Sequence, residues 1–209
     1  TYSEGTNFTV QAEGSQTNLE TKYEYAIVEE KDADGDTVSN FVATINKDTG
    51  KVTILAAGSF KITVKALSDD DYNESPVVTS DEIKVNRAEQ GEFKFETGDA
   101  TTTYTHNFTY NRNLAATGTG NGTITYKLGN ATTAVGVVVN SETGEITFAN
   151  AANDNSADFT GKVGIVEVVA TKAKDKKVRE KSTSYTITIE KAEQSIFKFA
   201  TEAPSAITY

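Results

Sequence analysis

Apolar and polar residues alternate with a period of two in one short stretch after another along this chain. From Lys22 to Val28, Tyr23, Tyr25 and Ile27 fall on one side and Lys22, Glu24 and Ala26 on the other. Side chains point alternately to the two faces of a strand, so this pattern predicts a half-buried β-strand. Lys51–Leu55, Lys61–Ala66 and Glu82–Val85 read the same way, as do Thr123–Leu128, Glu145–Phe148, Ile165–Ala170 and Tyr185–Ile189. Turn signals separate them: Asp34-Gly35, Thr49-Gly50, Ala57-Gly58, Asn121-Gly122, Gly129-Asn130 and Thr143-Gly144. Helical periodicity is almost absent. Thr171–Lys181 is Lys-rich without an apolar stripe and reads as a charged hairpin. Roughly seven short strands per ~100 residues predict two-sheet sandwiches.

The chain also repeats itself. Ile83-Lys84-Val85-Asn86-Arg87-Ala88-Glu89-Gln90, followed by Phe93-Lys94-Phe95, recurs as Ile187-Thr188-Ile189-Glu190-Lys191-Ala192-Glu193-Gln194, followed by Phe197-Lys198-Phe199. Asn7-Phe8-Thr9 returns as Asn107-Phe108-Thr109, Asp48-Thr49-Gly50 as Glu142-Thr143-Gly144, and Thr103-Tyr104 as Thr208-Tyr209. A period of about 100 residues is the size of a domain, far longer than a solenoid unit. Copy one is longer around Lys31–Asn40 and copy two around Ala151–Gly164, as expected for loop tips.

The Lys/Arg-Ala-x-Gln step, the Phe-x-Phe strand, the x-Thr-Gly-x-Val/Ile-Thr hairpin and Ala57-Gly58-Ser59-Phe60-Lys61-Ile62-Thr63-Val64 together resemble the immunoglobulin-like repeats of bacteria. Such repeats are strung along large biofilm adhesins of the RTX type, exported by type I secretion. The segment Leu67–Val78, with Asp71-Tyr72-Asn73, is similar to the loop before the last strand in that family. Copy two lacks the Ala-Gly-Ser-Phe and Asp-Tyr-Asn elements. The resemblance implies an all-β chain of two tandem immunoglobulin-like sandwiches arranged end to end. Residues 1–87 would be one repeat, its first strand missing, and 88–193 the next. Residues 194–209 would be the first strand of a following repeat or a terminal extension. An unpaired strand there could complete copy one of another molecule by head-to-tail exchange.

Composition narrows the chemistry. Cys is absent, which excludes disulfides and thiolate metal sites. A formal charge of −10 argues against nucleic acid as a partner, and no apolar run is long enough to insert in a membrane. The lone His106 has no second His or Cys to join it, and no Gly-x-Ser-x-Gly elbow occurs. An enzyme is not expected. The chain's stabilisation without disulfides raises one covalent alternative, a Lys–Asn isopeptide bond within a domain.

Charge is uneven: residues 1–99 carry 20 acidic and 9 basic side chains, and residues 100–209 carry 10 and 11. Two clusters stand out, Asp32, Asp34 and Asp36, and Asp69, Asp70 and Asp71. Ca²⁺ takes six to eight oxygens, so these six are candidate calcium ligands. The first cluster is not an EF-hand, because Gly35 falls at the fourth loop position and Ala43 at the twelfth. The alternative is turn chemistry on solvated loop tips. In copy two only Asn153, Asp154, Asn155 and Asp158 offer comparable oxygens. The basic run Lys172–Lys181 reads as an edge hairpin guarded by charge, or as a contact for an acidic glycan or an acidic neighbouring copy. Tyr23, Tyr25 and Tyr126 read as core, the alternative being a sugar-stacking platform.

Function is then expected to be mechanical. A sandwich of this kind spans roughly 30–40 Å, and Val85–Gln90 joins the copies without Gly or Pro. The expected role is an extender on a bacterial cell surface, outside the cell, with neighbouring repeats as partners. The alternative is a glycan- or protein-binding module of the same array, acting through Lys31–Asn40 and Asn150–Gly164.

Overall fold

The computed structural model describes residues 1–14, 22–96, 98–105, 108–148 and 163–193. The described residues form strands and no helix. Residues Thr1–Lys94 make one compact unit together with Ala116–Ile124 and Thr171–Ser182. The described parts of Phe95–Ala115, Thr125–Ala170 and Thr183–Tyr209 make a second. His106, most of the long loop of copy two and the whole of 194–209 lie outside the described residues.

In the first unit, β1 (Asn7–Thr9), β3 (Ala43–Ile45) and β4 (Lys51–Ile54) form a sheet of order β1-β4-β3. The opposing sheet has β5 (Gly58–Ala66) at its centre, with β2 (Tyr23–Asp32) on one side. Its other side is shared by β6 (Val78–Thr79) and β7 (Ile83–Val85). Inward residues from both sheets meet in one core: Ala43, Val52 and Ile54 from one, Tyr25, Phe60 and Ile62 from the other, with Val42 between. Fully burying a Val, Ile or Phe side chain contributes about 1.5–3 kcal/mol. That burial is the physical reason the alternation in the sequence predicts the strands so well.

Copy two repeats the plan, several of its strands beginning or ending in residues of the first unit. It draws on β8 (Phe93–Phe95), β9 (Ala100–Thr103), β10 (Thr109–Tyr110), β11 (Leu114–Thr117), β12 (Ile124–Leu128), β13 (Val137–Val139), β14 (Ile146–Phe148), β15 (Gly164–Lys172) and β16 (Lys181–Glu190). Its sheets run β10-β14-β13 and β12-β15-β16-β9, and β11 pairs with β8. The β16-β9 pairing is parallel, Ile187 beside Ala100 and Glu190 beside Thr103. Phe108, Ile146, Phe148, Val166, Val168, Tyr185, Ile187 and Ile189 are buried.

The repeat is most literal at the Thr-Gly hairpins. Asn46 Oδ1 accepts the amides of Asp48 and Thr49 at 3.0 and 2.9 Å. Asn140 Oδ1 accepts those of Glu142 and Thr143 at 2.9 and 3.0 Å. The Gly50 and Gly144 amides each close the turn on the Asn carbonyl at 2.9 Å. Both glycines are left-handed, with φ of 67° and 77°. A Cβ at Gly144 would lie 2.8 Å from the Tyr126 ring, and one at Gly50 3.2 Å from the Tyr25 ring. Only glycine suits both the φ and the close approach.

Ala57-Gly58 is not the turn that its composition suggests. Gly58 opens β5 opposite Asp32, packed so closely on Lys31 and Val42 that a side chain has no room. The glycine is there for a close approach of backbone within the sheet.

Candidate functional site

The Asp32–Asp36 loop caps the end of β2. Asp32 Oδ1 accepts the amides of Asp34 and Asp36 at 2.9 and 3.0 Å, and the Asp32 amide donates to the Asp36 carbonyl at 2.8 Å. Asp32 Oδ1 is therefore taken up by its own loop's backbone. Asp34, at the tip, faces two cations of the same compact unit. Arg87 Nη2 donates to Asp34 Oδ2 at 2.7 Å, and both Arg87 Nη1 and Lys174 Nζ reach Oδ1. The Arg87 hydrogen bond first, and that of Lys174 second, hold the Asp34 carboxyl down at about 2. Arg87 itself is anchored by Nε to the Asp175 carbonyl at 2.8 Å.

This pairing is part of a larger set of ties along Asn86–Gly91. The Ala88 amide donates to the Lys177 carbonyl at 2.8 Å, and the Arg179 amide donates back to Ala88 at 2.9 Å. Gln90 is buried, and its Oε1 accepts the amides of Thr119 and Gly120 at 3.0 and 2.7 Å. The Ala-Glu-Gln step thus supplies a side-chain clamp on the backbone of Thr119-Gly120. Sequence reasoning placed this step at a strand start and missed the clamp, although Gln recurs at 194.

The hairpin of the basic run is built on Asp175, whose Oδ1 accepts the amides of Lys177 and Val178 at 2.7 and 2.8 Å. Burial pushes the Asp175 carboxyl up, but backbone amides from Asn121, Lys177 and Val178 outweigh it and hold the group low. The basic side chains are engaged within the first unit. Lys174 meets Asp34, Lys176 lies over the Phe41 ring, and Lys177 lies over Tyr2 and pairs with Glu4 at 3.5 Å. Arg179 pairs with Glu89 at 3.1 Å. Lys172 is buried and donates to the Thr117 carbonyl at 2.6 Å. The basic run is thus paired in part with Asp34, Glu4 and Glu89.

One group went unnoticed in the sequence. Glu30 is only 5% exposed. Its Oε1 accepts the amides of Phe41, Val42 and Ala43 at 3.1, 2.5 and 2.9 Å. It pins the segment entering β3 to the base of the acidic loop.

The second acidic cluster sits beyond the other end of β5. Asp32 pairs with Gly58 at the start of that strand and Tyr23 with Ala66 at its close. Eight residue steps separate those ends, about 26 Å of strand. Asp69 Oδ1 accepts the amides of Asp71 and Tyr72 at 2.9 and 2.7 Å, another turn of the same kind. Asp36, Asp70 and Asp71 are exposed. Among the described residues no three His, Cys, Asp or Glu side chains form a metal-holding group. Oδ1 of Asp32 and of Asp69 is taken by amides and Asp34 by two cations, and the six aspartates lie in two separate loops. His106, Asn153, Asp154, Asn155 and Asp158 lie outside the described residues.

The geometry and the repeat define the class: an all-β chain carrying two copies of an immunoglobulin-like sandwich. No protein-family model matches it, and no curated protein does. Among solved structures it is similar to protocadherin gamma B2 extracellular cadherin domains 3–6, at 14% identity and a TM-score of 0.41, covering 92% of this chain and 48% of that one. It is similar also to Drosophila N-cadherin EC1-3, at 12% identity and a TM-score of 0.31, covering 88% and 60%. Protocadherin gamma C5 EC1-3 gives 12% and 0.40, covering 90% and 62%. The chain thus spans about half to two thirds of the length of these structures, and likeness at this level does not reach to function. Among the described residues no helix is long and apolar enough to cross a membrane.

Proposed function

We propose that this chain is a structural extender of an extracellular adhesin on a bacterial surface, with neighbouring repeats as its partners and no catalytic role. Its repeats are 1–87 and 88–193, with 194–209 the first strand of a following repeat or a terminal extension, and as such a strand able to exchange head to tail between molecules. The observation that carries this reading is the connection Asn86–Gly91. A flexible linker leaves its backbone to water. Here Arg87, Ala88 and Gln90 are each bonded to Thr119-Gly120 or to the Asp175–Arg179 hairpin. A tied connection resists bending, which a segment that holds a distance requires.

Small-angle scattering of the intact chain tests this. The expected result is one narrow distribution of dimensions that broadens when Arg87→Ala and Gln90→Ala are combined. A wild-type chain already as broad as the double variant would dismiss the mechanical reading.

A further inference from the structure

The loop Leu67–Val78, which plays no part in the ties above, borders a cavity of about 420 Å³ in the first unit. That is within the range of small-molecule sites. Tyr23, Leu67 and Tyr72 give it aromatic and apolar walls, and Lys65, Asp69 and Asn73 give it polar ones. Tyr72 is 46% exposed, whereas every other tyrosine among the described residues is buried or half-buried.

The loop that holds Tyr72 is built. Asp69 Oδ1 takes the Tyr72 amide at 2.7 Å, and the Asp69 amide donates to the Tyr72 carbonyl at 3.0 Å. At its far end the Ala66 amide donates to Ser75 Oγ at 2.8 Å and the Ser75 amide to the Ala66 carbonyl at 3.1 Å. Lys65 bridges Glu74 and Glu24 at 2.9 and 3.1 Å. The backbone that carries the ring is already ordered, so stacking on Tyr72 costs little freedom beyond that of the side chain itself.

Charge selects the ligand. Lys65 is the one cation among the lining residues, and two glutamates already share it, while Asp69, Asp70, Asp71 and Glu74 crowd the same loop. Uronates, sialates, sulfates and phosphates are repelled. A neutral sugar ring offers what remains: C–H faces for an aromatic ring, and hydroxyls for Asn73 and the second oxygen of Asp69. The geometry points to a binding site for neutral oligosaccharide at Tyr23, Tyr72, Asp69 and Asn73. It shares no residue with the connection Asn86–Gly91, so it stands or falls apart from the mechanical reading.

The chain has no Trp, so Tyr72→Trp places a single fluorescent reporter on the site and keeps an aromatic face. We expect at least one of cellohexaose, maltohexaose, xylohexaose and chitohexaose to shift its emission saturably at millimolar concentration. Trigalacturonate should leave the emission unmoved. The same sugar should perturb Leu67 and Val64 methyl resonances of the wild-type chain, and Tyr72→Ala should weaken binding at least tenfold with an unchanged melting temperature. The inference is overturned if none of the four neutral sugars shifts the emission, if trigalacturonate binds equally, or if Tyr72→Ala binds as well as wild type. Binding of unstructured apolar peptides at Tyr72 in place of sugars would overturn it too, in favour of a protein partner.

Discussion

The two acidic loops of the first unit look alike in the sequence and differ in what holds them. Asp32–Asp36 and Asp69–Asp71 each begin with an aspartate that takes two backbone amides. The first loop is also gripped from the side by Arg87 and Lys174, which lie 53 and 140 residues from Asp34, and the strand leading into it is tied through Glu30 to Phe41–Ala43. The second loop is held by local bonds and by the Lys65 bridge at its edge. Equal charge density therefore carries no fixed meaning. The first cluster is a fastening, and the second is a frame for an exposed ring.

The comparison is broken most forcefully at Glu30. Replacing it with Ala leaves three amides without an acceptor, two of them in buried bonds. The expected loss is about 2–4 kcal/mol, since a buried unsatisfied donor costs about 1–3 kcal/mol. Urea unfolding should show it as a lower midpoint with the slope unchanged. Glu74→Ala, the corresponding carboxylate of the second loop, should cost no more than about 0.5 kcal/mol, because exposed ion pairs contribute little.

Glu30 also marks where reading the sequence fails. Tyr23, Tyr25 and Ile27 keep an inward phase, so residue 29 should follow them into the core. The strand pairing slips between Val28 and Lys31, and Glu29 takes a φ of 51°. One extra residue turns every later side chain to the opposite face, which buries Glu30 and exposes Glu29. Val28-Glu29-Glu30-Lys31-Asp32 gives no local sign of this, since each residue suits a solvated strand end. The strands themselves were legible because alternation and burial have one cause. Lys61–Ala66, Tyr185–Ile189 and Ile165–Ala170 all fall inside observed strands. The ties of Arg87 and Lys174 were not legible, because a pairing across 53 or 140 residues depends on topology that composition does not carry.

A smaller effect separates the two opening aspartates. Asp69→Ala removes two exposed amide bonds and should cost about 0.5–1 kcal/mol. Asp32→Ala removes the same number, but the loop remains fastened at Asp34 by Arg87 and Lys174. We expect the Asp69 variant to show the larger rise in hydrogen exchange, at Asp71 and Tyr72, than the Asp32 variant shows at Asp34 and Asp36. The reverse order would mean that the long-range ties do not hold the first loop.

Acid titration isolates Asp34. Its folded carboxyl lies at about 2, below the ordinary 3.8, because Arg87 and Lys174 favour the charged form. Between those two values the unfolded chain binds the extra proton, so Asp34's contribution is complete above about pH 4 and fades as pH falls toward 2. Asp34→Asn should flatten the stability profile in that window and leave its shape above pH 5 unaltered. Asp70→Asn, in the exposed loop, should leave the acid limb as it is.

The smallest expected effect is that of calcium, and it bears on both loops. A calcium site would need several free oxygens brought to one point, and the two clusters are held apart by the length of β5. Within the first cluster, the Arg87 guanidinium and the Lys174 ammonium already neutralise the outermost carboxylate, so an incoming ion would have to displace two anchored cations. Millimolar Ca²⁺, or a chelator, should therefore leave the melting temperature of the wild-type chain unmoved. A rise of several degrees would show that these carboxylates rearrange around the ion. Repeating the titration on the Arg87→Ala/Lys174→Ala variant decides the cause. If calcium stabilises only that variant, protein cations occupy the electrostatic role that a metal could otherwise fill. If it stabilises neither, the spacing of Asp32, Asp34 and Asp36 is what excludes it.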